Sequence, residues 1–226
     1  MATLAQFRSR VQAKIGLDAT ASGTDEVLLD SWINEGVTDF LLQTQCKVIS
    51  ATMTMIVGTS DYTLDTAILV IKDVYITSGS DLTGLEQWSP YELLARRRAN
   101  TTQSSPATAY AVMGGNLFLV YPTPSAADVI TLYYVPRPVT LSAGGDTPSE
   151  IPVEFHKAVE YYALAQAADY DDDASSAQGL RYRDLYLSEV GKARKYLNVK
   201  GNARLPRAVV GRRRLVSPRN DVYPEW

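Results

Sequence analysis

Apolar residues recur with the period of an α-helix at the start of the chain. Leu4, Phe7, Val11 and Ile15 are spaced three and four apart, which places them on one face of a helix. Thr3 and Gln6 can form a capping box at its start, and Gly16 provides a stop. A second helix is predicted from Thr24, whose hydroxyl can cap the first turn. Asp25 and Glu26 suit its positive end. Leu29, Ile33, Val37 and Phe40 make its apolar stripe, with Trp32, Gly36 and Leu41 beside it, and the pattern ends near Gln43.

The period then changes. "CKVISATMTMIVG" is rich in β-branched residues with partial alternation and reads as a strand. "SDYTLD" suits a turn or short strand, and "AILVIKDVYIT" is a longer strand apolar enough to be partly covered on both faces. "SPYELLARRRA", Ser89 to Ala99, predicts a short helix with Pro90 in its first turn. "TAYAVMGGNLFLVYP" predicts a hairpin around Gly114, Gly115 and Asn116, which tolerate positive φ. Leu117, Leu119 and Tyr121 would lie on one face of its second strand and Phe118 and Val120 on the other. With both faces apolar, one is expected to pack on the chain's own helices and the other on a neighbouring protein. "DVITLYYVP" adds a strand ended by Pro136 and Pro138. The middle of the chain thus predicts one antiparallel sheet of about four or five strands.

After the loop "TLSAGGDTPSEIP" the helical period returns. Phe155, Val159, Tyr162 and Gln166 lie along one stripe, with Ala163 and Ala167 beside it. A further helix is expected after Asp173, an N-cap residue type, with Leu180, Leu187, Val190 and Leu197 as the seam of a helical hairpin. Beyond Asn198 the period is lost, and Pro206, Pro218 and Pro224 favour an extended segment. The fold class is therefore α+β. A helical bundle is drawn from residues 1–45 and 150–199, an antiparallel β-rich lobe is inserted at 46–149, and an extended C-terminal arm covers 200–226.

Charge divides the chain along the same lines. From Lys200 to Trp226 there are seven basic and two acidic residues, a surplus of five. The whole chain carries −3, which leaves −8 on residues 1–199. An acidic body with a basic arm points to a partner for the arm. At 46% hydrophobic residues the 226-residue chain can bury a core. Its apolar runs fall short of the ~20 residues that span a bilayer, and "MATLAQFRSRVQAK" lacks the apolar stretch of a signal peptide. Neither export nor a membrane partner is expected. Cys46 is the only cysteine, so the chain cannot form an internal disulfide, and its expected role is that of a small buried apolar residue.

Catalytic and ligand-binding patterns are poorly supported. His156 is the only histidine. Glu160 lies one turn on and Ser89 or Ser149 could be imagined near it, but a Gly-x-Ser-x-Gly elbow is missing. A structural histidine is the better reading. Zinc would have to be held by one Cys and one His with carboxylates. "DYDDDASSAQGL" places Asp169, Asp171 and Asp173 at the first, third and fifth positions of a calcium loop. Ala174 then replaces the required glycine and Leu180 the required glutamate. "MGGNL" is not followed by the Gly-Lys-Ser/Thr of a phosphate loop. The expectation is a non-enzymatic protein with no metal and no cofactor.

Two basic clusters remain. Arg96, Arg97 and Arg98 end a short helix, where they complement its dipole; their functional reading is a contact with phosphate or with an acidic neighbouring subunit. In the arm, Arg204, Arg207, Arg212, Arg213, Arg214 and Arg219 alternate with Leu205, Val209, Val210, Leu215 and Val216, and Tyr223 and Trp226 close it. A nucleic-acid-binding arm would use the arginines. A protein-docking arm would use both sets, with arginines for carboxylates and aromatics as anchors. The interleaved apolar residues favour docking on protein.

Three stretches carry a family likeness: "LLDSWINEGVTDFLLQ", "NLFLVYPTPSAADVITLYYVPRP" and "IPVEFHKAVEYYALAQAADYDDDASSAQGLRYRDLYLSEV". In their order and content the chain resembles the head-tail connector, or adaptor, proteins of tailed bacteriophages, especially the tail tubular protein A type. The resemblance implies a helical bundle with an inserted β-region and a twelve-subunit ring beneath the portal protein of the capsid. It implies a C-terminal segment that grips the portal, a second face that receives a tail nozzle or stopper protein, and viral DNA passing through the channel without sequence-specific binding. The implied location is the virion's head-tail junction, reached from the host cytoplasm during assembly. The resemblance brings no catalytic residues. Lys200 to Trp226 would be the portal-docking arm.

Overall fold

A computed structural model of the protein describes residues 1–15, 24–170 and 176–201. The expected stop at Gly16, the cap at Asp173 and the arm beyond Gly201 lie outside the described residues.

Helix α1 (Leu4–Ile15) begins with the expected capping box. The Gln6 amide N–H donates to Thr3 Oγ1 at 3.3 Å, and the Thr3 N–H donates to Gln6 Oε1 at 3.2 Å. Helix α2 (Thr24–Thr44) buries Leu29, Ile33, Val37 and Phe40. The chain closes the bundle with α4 (His156–Tyr170), entered through a 3₁₀ turn at Val153–Phe155, and α5 (Ser176–Gly201). The four helices share a core in which Phe7, Ile33, Phe40, Val159, Leu164 and Ala193 are inaccessible to solvent.

Helix α4 departs from its expected single stripe. Val159 and Ala163 are buried, but so are Ala158, Glu160, Leu164, Ala165, Ala167 and Ala168, while Tyr162 and Gln166 sit at the margin. The helix packs against α1, α2 and α5, and its alanines let these neighbours approach on several sides. Helix α5 corrects the expected leucine seam. Leu180 and Leu187 are 57% and 50% exposed. The residues that face the bundle are Gly179, Tyr182, Tyr186, Val190 and Ala193. This stripe is heptad-spaced as well, with Gly179, Tyr186 and Ala193 one position before the leucines expected to form the seam. The helix also continues to Gly201, past the expected end at Asn198.

The inserted lobe contains two four-stranded sheets, where a single sheet of four or five strands was expected. The first sheet has the order β1 (Ile49–Thr54), β8 (Val129–Pro136), β3 (Ile68–Ser78), β4 (Asp81–Gly84), every pair antiparallel. The second has the order β2 (Asp61–Thr63), β7 (Leu117–Tyr121), β6 (Ala109–Met113), β5 (Glu86–Gln87), with the β5–β6 pair parallel. The β6–β7 hairpin and a short strand in "SDYTLD" were expected, but the two-residue strand β5 is too short to show a period, and the division of the strands into two sheets rests on pairings between distant segments that no local pattern records. Gly114 and Gly115 take φ of 62° and 87° in the β6–β7 turn, the left-handed region that glycine adopts without a Cβ clash.

A sandwich core fills the space between the sheets. It includes Met55, Ile76, Phe118, Val120 and Ile130. Helix α3 (Pro90–Ala99), capped by Ser89 Oγ accepting from the Glu92 N–H at 3.2 Å, covers the outer side of the second sheet through Leu93, Ala111 and Leu119. Both faces of the β7 hairpin strand are therefore buried within one subunit. This corrects the expectation that one face serves a neighbouring protein: Phe118 is 0% and Leu119 1% exposed.

The segment between β8 and the 3₁₀ turn ties lobe to bundle. Asn34 on α2 accepts the Leu141 N–H at 2.8 Å and donates to the Leu141 carbonyl at 3.1 Å. The N–H groups of Leu4 and Ala5 donate to the carbonyls of Asp146 and Gly144 at 2.8 and 3.0 Å. These bonds satisfy orphan donors at the start of α1.

Candidate assembly interfaces

Four places gather functional residue types. The first is the entry to α4, which holds the sole histidine. His156 is buried against Phe7, at a ring separation of 5.9 Å. Its Nδ1 accepts the Ala2 N–H at 3.1 Å, and its Nε2 lies 3.2 Å from the Ile151 carbonyl. With Nδ1 accepting, the proton belongs on Nε2, where it is donated to Ile151. Burial pushes the imidazole pKa below its ordinary value, and the bond to Ile151 opposes this in part. The ring pins the N-terminus to the bundle. Glu160, one turn on, is bound by Lys14 Nζ at 2.6 Å and Arg10 at 3.8 Å. Neither Ser89 nor Ser149 is joined to His156 by a hydrogen bond.

The second is the end of α3, where the three arginines have different fates. Arg97 Nη1 binds Asp61 at 2.6 Å, Nη2 donates to the carbonyls of Ser60 and Val120 at 2.6 and 2.8 Å, and Nε donates to Val120 at 3.2 Å. The fork geometry of guanidinium suits this role. It fastens α3 to the ends of β2 and β7 inside one subunit. Arg96 lies over the Trp88 ring at 5.7 Å, a cation–π pair. Arg96 and Arg98 are exposed, and so is Tyr91 on the same helix, at 85%.

The third is a groove of about 180 Å³ where α2, α4 and α5 meet, lined by Gln43, Tyr162, Gln166, Arg183 and Leu187 among others. Its floor is ordered by polar contacts. The Tyr186 hydroxyl donates to Asp39 Oδ2, and Gln43 Nε2 donates to the same oxygen at 2.8 Å. Arg194 Nε reaches the Gln43 carbonyl at 2.9 Å, a cation at the C-terminal end of α2 that complements its dipole. Tyr162 and Tyr186 meet edge to face at 5.4 Å. Burial, then the bond to Asp39, drives the Tyr186 phenol far above its usual pKa, so the proton stays on the hydroxyl. Leucine spacing alone signalled Leu187; nothing in the pattern signalled the Asp39–Tyr186 pair, whose members are 147 residues apart.

Cys46, the fourth, is half-buried, with Sγ 3.5 Å from the Glu150 carbonyl. Burial raises its thiol pKa, so it is a poor nucleophile. Asp169 of the acidic turn pairs with Arg183 at 2.9 Å, while Asp171 and Asp173 lie outside the described residues. Among the described residues no group of three His, Cys, Asp or Glu side chains could hold a metal ion, and no helix is long and apolar enough to cross a membrane.

Among the described residues, His156, Arg97 and Arg194 act as clamps between segments, and the meeting of α2, α4 and α5 forms a groove. The model of one protein family, described as SU10 adaptor protein, matches residues 2–213. The chain belongs to that family. Membership covers the helical bundle and the β-rich lobe and extends to residue 213, and brings with it an adaptor role, a structural one in the phage virion. No curated protein matches the adaptor.

Proposed function

We propose that this adaptor is the head-tail connector of a tailed phage. Twelve copies form a ring under the portal protein, and the far face of the ring receives the tail nozzle or stopper. Viral DNA passes through the channel without sequence-specific contacts. The family match over residues 2–213 carries the reading. The acidic body, −8 over residues 1–199, supports it as well, since like charge keeps DNA from adhering to a channel wall.

The arm is the proposed portal-docking element. Arg204, Arg207, Arg212, Arg213, Arg214 and Arg219 would meet carboxylates, and Leu215, Tyr223 and Trp226 would fill apolar pockets. Ordering a segment costs ~1–2 kcal/mol per residue in backbone entropy. Exposed ion pairs return only ~0–1 kcal/mol each, so the apolar residues must supply much of the affinity. Arg96 and Arg98, exposed beside Tyr91, are proposed inter-subunit or portal contacts, and Arg97 orients the helix that carries them.

The test is a portal-binding assay on full-length protein and on a chain ending at Val210, with circular dichroism to verify folding. The shortened chain is expected to fold and to lose portal binding. Full binding by the folded, shortened chain would overturn the docking role. Strong, salt-dependent binding of the intact protein to DNA, without binding to portal, would favour a nucleic-acid-binding module instead.

A further inference from the structure

The first sheet of the lobe ends in two open edges. Among the described residues no strand pairs with the outer side of β1 or of β4. Natural edges are usually blunted by charge, proline or a bulge. The β1 sequence Ile49–Thr54, ISATMT, has no charge and no proline, and its pairing with β8 is unbroken. β4 is exposed along its whole length.

The two edges are complementary. Strand directions alternate across the four strands, so β1 and β4 run in opposite directions. A second copy placed head to tail would therefore lay its β4 antiparallel to β1. The hydrogen-bonding phase agrees as well. The Met55 N–H donates to the Asp128 carbonyl at 2.8 Å, so by the antiparallel alternation Ser50, Thr52 and Thr54 turn their N–H and C=O groups to the open side. The Leu85 N–H donates to the Val74 carbonyl at 2.8 Å, so Leu82 and Gly84 do the same on the other edge. Tracing the register across the sheet puts Thr54 level with Val129, Val129 with Thr77, and Thr77 with Leu82. With a second copy set beside the first without stagger along the strands, Thr54 would fall opposite its Leu82 and Thr52 opposite its Gly84, each with outward-turned backbone groups and side chains on the same face.

Apolar exposure falls at the same height. Leu82 is 65% exposed at one edge; Ile56 and Val57, just past β1, are 62% and 54% exposed at the other. Within one subunit these side chains have no evident use. In a head-to-tail pair Leu82 comes to the side of Thr54 and Ile56.

We propose that adjacent copies of this chain join by β-strand addition, β4 of one copy pairing with β1 of the next. The contact is heterologous, the kind that generates a closed ring when the rotation closes. The proposal rests on the ring reading and names its interface.

A disulfide trap on full-length protein in assembled virions tests it. Antiparallel hydrogen-bonded pairs have Cα atoms about 5.5 Å apart, within disulfide reach. In a Cys46→Ser background, Thr54→Cys combined with Leu82→Cys should give a ladder of multimers on oxidation, seen on a non-reducing gel. Each single-cysteine chain should stay free of the ladder. A second variant, Thr52→Pro, removes an N–H that points away from β8, which edge strands tolerate; it should keep its fold by circular dichroism and fail to enter virions. No ladder from virions whose connector ring is intact by electron microscopy would overturn the strand pairing and leave the ring standing. Absence of any ring of this chain would overturn both.

Discussion

The bundle and the lobe bury apolar surface by opposite strategies. The bundle closes on itself: α4 is surrounded by three helices, and small residues at Ala158, Ala163, Ala167 and Gly36 set how closely they approach. The lobe stacks layers, two sheets and then α3; the inner faces are covered, while the outer face of the first sheet and the sides of the layers stay open. A closed bundle resists enlargement at its contacts. A layered lobe resists truncation in its cores and leaves backbone free at its edges. Stability should accordingly be spread over both regions, while the contacts proposed for assembly lie at the edges and in the C-terminal segment.

The largest expected effect is truncation at the middle of the sandwich. Phe118 is fully buried and stacks with Tyr110 at 5.4 Å. Phe118→Ala should cost about 3–5 kcal/mol in chemical denaturation, as should Phe40→Ala in the bundle. A much smaller loss at Phe118 would mean that the layers can collapse around the gap.

Enlargement should separate the regions more sharply. A Cβ at Gly36 would lie 3.0 Å from Tyr162 Cδ1. Gly36→Ala should destabilise the bundle by about 1–3 kcal/mol through overpacking, set against a gain of under ~1 kcal/mol in helix propensity. A Cβ added at Gly144, in the segment that ties the lobe to the bundle, would meet Ala5 Cβ at an ordinary 3.5 Å, so Gly144→Ala should be close to neutral when the two variants are compared by thermal melting.

Arg97 joins α3 to the second sheet. Arg97→Ala removes its bonds to Asp61 and to two carbonyls, with an expected loss of about 1–3 kcal/mol. Arg96→Ala and Arg98→Ala should stay within about 0.5 kcal/mol. Equal losses at all three would contradict the division of roles between one clamp and two exposed cations.

The smallest effect is a pH dependence of the bundle. His156 has a depressed pKa in the fold, while the unfolded chain titrates near 6.5. The unfolded state therefore binds more protons below 6.5, and stability falls as pH drops through that range. The contribution is complete above it. Denaturation at stepped pH should show this slope in the native sequence and lose it in His156→Phe. An unchanged slope in the variant would mean that other groups dominate.

The helical ends and long strands were legible because periodicity reflects burial on one side. Leu4, Phe7 and Val11, the capping box, the Ser89 cap and the β6–β7 turn all follow from local rules. Two kinds of feature did not. Short strands such as β5 exist only because β6 offers an edge, so no local pattern announces them. Leu180 and Leu187 have heptad spacing yet face outward, because α5 packs through the positions just before them, Gly179, Tyr186 and then Ala193; the small size of Gly179 and Ala193 and the Tyr186 hydroxyl bond to Asp39 are features a hydropathy pattern does not record. At the candidate interfaces, sequence found the arginines of α3 but not which one is held. That depends on Ser60, Asp61 and Val120 arriving from other parts of the chain.

In the proposed function this adaptor acts as a ring between capsid and tail. An electron-microscopy reconstruction of the connector in virions containing the full-length chain tests it most directly. Twelve copies are expected, arranged head to tail around the DNA channel and in contact with the portal. A dimer or trimer of the chain, or a connector ring from which it is absent, would contradict it.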